Sequence, residues 1–185
     1  HSGGKVQLSA VNSYAGLTTI DGGAQLYISG LGSIASSSGV LNNGVFDISR
    51  AWSAVAIQDL TGSGDTHLGG QNLIITNAAG TYSGKISDTG AFPGTGGSLT
   101  LAGGALILSG ANTYSGATNI VAGNLKAGAA NAFSPNSTHV VALGAILDLN
   151  NSNQTIGSLA GAGNATLGSG VLTAGGNNFS SIFSG

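Results

Sequence analysis

The sequence predicts an all-β protein, a parallel β-helix taken from a longer array, and three observations carry that prediction. The stretch Ala105-Leu-Ile-Leu-Ser-Gly-Ala-Asn-Thr-Tyr-Ser-Gly-Ala-Thr-Asn-Ile-Val-Ala-Gly-Asn-Leu-Lys-Ala-Gly128 has a blurred copy of itself one hundred positions earlier, beginning at Lys5. Val6, Leu8 and Ser9 correspond to Leu106, Leu108 and Ser109. Asn12, Tyr14, Gly16, Thr18, Ile20 and Gly23 each correspond to the residue of the same type at 112, 114, 116, 118, 120 and 123. Register of this kind marks a repeat architecture. Helix signals are nearly missing: the chain has no Glu, and its 34 Gly interrupt almost every window of ten. Short alternating runs replace them, and a long imperfect repeat built of short strand-turn steps favours a solenoid over a sandwich or a barrel.

Taken in order, Lys5-Val-Gln-Leu8 alternates outward and inward, Val45-Phe-Asp-Ile48 does the same, and Ser98-Leu-Thr-Leu101 repeats it. In the second unit Ala105-Leu-Ile-Leu108 and Ala145-Ile-Leu-Asp-Leu149 are nearly all apolar, so alternation alone does not orient them. The first unit does. Gln7 corresponds to Ile107 and Asp47 to Asp148, which sets Leu106, Leu108, Leu147 and Leu149 inward and Ile107 and Ile146 outward. After a one-residue slip, Ile57-Gln-Asp-Leu-Thr-Gly-Ser-Gly64 corresponds to Ile156-Gly-Ser-Leu-Ala-Gly-Ala-Gly163. Residues 1–185 are therefore expected to form one solenoid segment of two degenerate units, 5–104 and 105–185, with the chain stopping where a further unit would begin. At 20 to 25 residues per coil this makes roughly eight coils and a rod on the order of 40 Å long, with open ends.

Composition narrows the function. The charged fraction is 5%, against roughly 25% in an ordinary soluble domain, while 41% of the residues are hydrophobic, which argues against disorder. Four Lys and Arg make no basic stripe, so nucleic acid and acidic polymers are unsuitable partners. Cysteine is absent, which removes disulfides, thiol catalysis and Cys-ligated zinc. The longest apolar run, Val140 to Leu149, is too short and too interrupted for a membrane span. His1-Ser-Gly-Gly4 reads as a remnant or a cut through a longer chain.

The run from Leu108 to Gly128, with Leu147-Asp-Leu-Asn150, Gln154-Thr-Ile-Gly-Ser-Leu-Ala-Gly-Ala-Gly163 and Leu167-Gly168, closely resembles the passenger-associated repeat of bacterial autotransporters. The resemblance covers 105–185 and, more weakly, 5–104. It implies a right-handed parallel β-helix, secreted by the type V route and displayed outside a Gram-negative cell, with a membrane tie only through a C-terminal barrel absent from this chain. It does not imply one activity, since the same repeat underlies adhesins, proteases, esterases and toxins. The first unit departs from the pattern at Ser36-Ser-Ser-Gly-Val-Leu-Asn-Asn43 and at Arg50-Ala-Trp-Ser53.

No Gly-x-Ser-x-Gly nucleophile elbow occurs, and the nearest approach to a protease-like Gly-Asp-Ser-Gly is Gly64-Asp-Thr-His67. His67 and His139 are expected on the solvated surface. Gly62-Ser-Gly-Asp65 resembles part of a calcium nonapeptide, but Asn164 takes the matching place in the next unit, so a turn is the better reading. Gly80-Thr-Tyr-Ser-Gly-Lys85 is one residue short of a phosphate loop. The isolated Asp21, Asp47, Asp59, Asp65, Asp88 and Asp148 do not make the clustered carboxylates of a polysaccharide lyase. No catalytic residue, metal ligand or cofactor is assigned. Arg50 and Trp52 form the one place where a large aromatic and a planar cation lie together, suited to a sugar or a partner surface; the alternative is a loop whose Trp covers an edge of the core.

The expected function is a non-enzymatic stalk or adhesive surface that meets a glycan, a host surface or a second copy of itself. The rival is the scaffold of a secreted hydrolase whose catalytic part lies elsewhere. An ice-binding solenoid would need a regular Thr ladder, and the Thr residues here are scattered.

Overall fold

Hydrogen-bond register shows how the chain climbs. In the computed structural model, which describes residues 3–185, Lys5 pairs with Gln25, Gln25 with Val45, and Val45 with Asp65, a step of 20 residues each time. His1 and Ser2 of the terminal run lie outside the described residues. Each strand pair is parallel, and no helix occurs among the described residues. The result is a β-solenoid of about 8 turns.

Three long ladders form its walls. The first stacks Lys5–Leu8, Gln25–Gly30, Val45–Ala51, Asp65–His67 and Ile86–Ser87. The second stacks Val55–Ile57, Asn72–Ile75, Ser98–Leu101, Thr118–Ile120, Thr138–Val141 and Ser158–Gly161. The third begins at Thr81–Tyr82 and continues through Ala105–Leu108, Asn124–Ala127, Ile146–Asp148 and Asn164–Thr166. Such short strands are stable because every inward side chain meets its counterpart one turn away, so the core is a set of columns. One column is Leu106, Leu125 and Leu147; another runs Val55, Leu73, Leu99, Thr118, His139. Leu106, Leu108, Leu147 and Leu149 are fully buried as the repeat predicts, and Ile107 lies on the outer face in register with Lys126.

Two residues keep the expected face but not the expected exposure, and one expectation is corrected. Val6 keeps its inward register opposite Leu26 but is 53% exposed, because among the described residues its strand pairs on one side alone. Asp47 does point away from the core, yet it is buried, because residues 88–97 bulge out of the fifth turn and fold back over it. His139 is not a solvated loop residue. It is a strand residue with its ring wholly inside the coil, 5.5 Å from the ring of Phe133.

The recurring corner has a physical explanation. The Tyr14 hydroxyl bonds Thr18 at 2.8 Å, Thr18 bonds Ser37 at 2.8 Å, and Ser37 donates to the Gly16 carbonyl at 2.8 Å. One hundred residues on, Tyr114, Thr118, Ser137 and Gly116 make the same bonds at 2.7, 2.8 and 2.6 Å. The glycine is set by close approach. A methyl group at Gly116 would lie 2.3 Å from the Gly96 carbonyl oxygen, whereas one at Gly16, in the terminal turn, would meet nothing within 4 Å. Gly116→Ala is therefore expected to cost about 2 kcal/mol, since backbone must move, while Gly16→Ala should stay within about 0.5 kcal/mol. Urea melts of the two variants check this, and equal losses would show that the motif glycine serves something other than turn-to-turn contact.

Candidate functional site

The wall that departs from the regular pattern is the outer face of the first ladder. Tyr27 pairs with Asp47 but Ser29 pairs with Arg50, so the Val45–Ala51 strand carries one extra residue there. A bulge of this kind re-aims the side chains that follow it. Ile48 still enters the core, and Arg50 returns to the outer face, its guanidinium 5.5 Å from the Tyr27 ring centre. Trp52 follows, tied by its backbone N–H to the Gly30 carbonyl at 2.9 Å. Its side chain is 78% exposed, so it covers no edge of the core.

The loop 88–97 completes the wall from two turns away. Its Ala91 N–H donates to Asp47 Oδ2 at 2.8 Å, and its Phe92 N–H donates to Ser49 Oγ at 3.0 Å. These bonds carry the Phe92 ring to 5.1 Å from the Arg50 guanidinium, so the cation lies between two aromatic rings. Burial pushes the Asp47 carboxyl up, but neighbouring His67 and the bonds from Ser49 and Ala91 outweigh it and hold its pKa below the usual value. Asp47 thus stays ionised as the anchor of the loop. Arg50, Trp52, Phe92, Leu31, Gln7 and Ser29 line a groove of about 430 Å³, with Leu31, Trp52 and Phe92 all exposed at its rim. A second depression joins it through Gln7 and Arg50 and reaches Lys5.

Coil register also brings together residues that sequence spacing kept apart. Asp47, His67 and Ser87 stand in line on three successive turns. They do not form a proton relay: His67 Nδ1 is 3.9 Å from Asp47 Oδ2, beyond hydrogen-bond reach, and the buried Ser87 hydroxyl is engaged by Thr89 Oγ1 at 2.5 Å. His67 is half-buried beside Asp47, not freely solvated. No group of three or more His, Cys, Asp or Glu suited to a metal occurs among the described residues.

Of the residues singled out in the sequence, Arg50 and Trp52 line one groove, while Lys5, Tyr27, Leu31 and Phe92 were missed. The alternation of Lys5-Val-Gln-Leu8 placed Lys5 outward, but only the 20-residue step puts it beside Tyr27. Phe92 carried no signal, since its place depends on where the loop folds.

The parallel ladders and the Asn-Tyr-Gly-Thr corner are the features in which the chain is similar to autotransporter passengers carrying passenger-associated β-helix repeats. The passenger-associated-transport-repeat family model matches residues 2–24 and 103–127, the two stretches that hold the corner. The chain is similar to the adhesin BmaC autotransporter of Brucella suis biovar 1 (strain 1330), 37% identical over 176 residues. That match takes in 92% of this chain and 5% of the length of the relative. No solved structure matches the chain.

Proposed function

We propose that this chain is a rigid, surface-displayed stalk segment of a Gram-negative adhesin, and that it also binds, through the groove around Arg50 and Trp52. In this reading residues 5–104 and 105–185 are two units of one rod, with recognition confined to the first. Stiffness follows from the continuous ladders, and the low charge density lets surfaces approach without strong repulsion. The observation that carries the binding reading is the cluster of Leu31, Trp52 and Phe92 exposed around a cation on an otherwise regular wall. Exposed aromatic residues with Arg are the composition of binding hot spots. The kinship of the chain to an adhesin supports the same reading.

Trp52→Ala is the test. Because the indole covers no core, the variant should unfold within about 0.5 kcal/mol of the parent. Attachment of the isolated segment to epithelial cells, measured by flow cytometry, should fall at least about tenfold, the loss of a hot-spot anchor of over 1.4 kcal/mol. Undiminished attachment would show that the groove is not the recognition surface.

A further inference from the structure

Resting on the reading of this groove as a recognition surface, we propose that it takes a carboxylated sugar, with Arg50 and Lys5 on the carboxylate and Trp52 against the ring. The chain has four Lys and Arg in all. Lys126 is paired with Asp148 at 3.7 Å, whereas Arg50 and Lys5 have no carboxylate within ion-pair distance among the described residues, and they line one continuous depression. The nearest acid along the strand, Asp47, has its oxygens committed to the Ser49 and Ala91 N–H groups. Lys85, the fourth cation, stands apart from this depression, so Arg50 and Lys5 are the two cations that share one site, and neither has a carboxylate within ion-pair distance among the described residues.

The geometry selects the kind of anion. Arg50 is held between the Tyr27 and Phe92 rings, and its Nε is buried without a hydrogen-bond partner. A guanidinium fixed in this way presents its fork in one plane, and a planar carboxylate matches that fork with two parallel hydrogen bonds. Pre-ordering by the rings also lowers the entropy lost on binding. Beside the fork, Gln7 Nε2 and Ser29 Oγ are joined at 3.0 Å and offer their remaining donor and acceptor positions to hydroxyl groups. Across the groove the exposed Trp52 indole supplies a flat apolar face of the kind that stacks on the C–H face of a pyranose. Two cations suit one acidic residue of a glycan. They do not suit an acidic polymer, which agrees with the composition.

Trp52 is the only Trp of the chain, so its fluorescence reports on the groove directly. The isolated chain is titrated with methyl glucuronide, methyl glucoside, inorganic phosphate and N-acetylglutamate. The expected result is saturable change with methyl glucuronide in the millimolar range, at least about tenfold weaker response to the other three, and loss of the glucuronide response by at least about tenfold in Arg50→Gln and severalfold in Lys5→Gln. Lys5 is exposed on the first strand, so Lys5→Gln keeps the fold even if Arg50→Gln loosens the loop. Equal response to the glucoside would overturn the acidic assignment in favour of a neutral sugar. Preference for phosphate or for N-acetylglutamate would overturn it in favour of another anion. Silence toward methyl glucuronide, with Trp52→Ala still abolishing cell attachment, would remove the acidic-sugar assignment and leave the adhesin reading standing.

Discussion

Leu108→Asp is expected to lower stability by about 4 kcal/mol or more, enough to unfold a marginal domain, while its neighbour Ile107→Asp should cost about 1 kcal/mol. Both are large aliphatic residues in the strand Ala105–Leu108, and nothing in their chemistry separates them. Register separates them. Leu108 is fully buried between Tyr82 on one turn and Ala127 on the next, so the variant would place an unpaired carboxylate in a closely packed column of buried side chains. Ile107 lies between Thr81 and Lys126 on the outer face, where a carboxylate stays hydrated and gains Lys126 as a neighbour. Its cost is the weaker strand preference of Asp and some lost packing. Denaturant melts decide it: equal destabilisation would mean that a further layer covers Ile107, and the reverse order would mean that the strand is turned over.

That register was legible because this chain spells one stretch of its coil twice, one hundred residues apart. Gln7 marks the face that Ile107 occupies, and the corner at Asn112, Tyr114, Gly116 and Thr118 recurs at 12, 14, 16 and 18 with the same hydroxyl bonds to the next turn. The groove was legible only in part. Arg50 and Trp52 announced themselves as a break in the small-residue pattern, but the bulge that aims Arg50 appears only when strands are paired. Asp47 was read as outward, and it is; its burial comes from a loop two turns away. Phe92 was invisible for the same reason, since Phe92-Pro-Gly has no periodicity to place it. His139 was misread differently: a polar residue after Asn136-Ser-Thr138 looks like loop, although Val141 is an inward position and His139 stands two residues before it.

His139 should make this fold lose stability as pH falls from neutral toward 4. Its Nδ1 is 3.2 Å from the Ser137 carbonyl and donates to it, which leaves Nε2 as a buried acceptor with no partner among the described residues. Burial pushes the pKa of the ring down to about 4, outweighing the upward pull of the Ser137 carbonyl. In the unfolded chain the same ring titrates near 6.5. Above pH 6.5 it is neutral in both states and contributes no pH dependence. Between 6.5 and 4 the unfolded state binds the proton and the folded state does not, so stability declines by up to about 1.4 kcal/mol per pH unit, roughly 3 kcal/mol in all. His139→Leu would put an aliphatic side chain in the column that holds Leu73, Leu99 and Thr118, and it removes the titrating ring. Subtracting the stability of the parent from that of the variant across pH 4 to 7 cancels the other titrating groups, including Asp47, whose stabilisation fades only as pH falls through its lowered pKa. The difference should widen by roughly 3 kcal/mol toward pH 4. Parallel curves would show that the ring is protonated inside the fold, with Nε2 bound to a partner that the column does not contain.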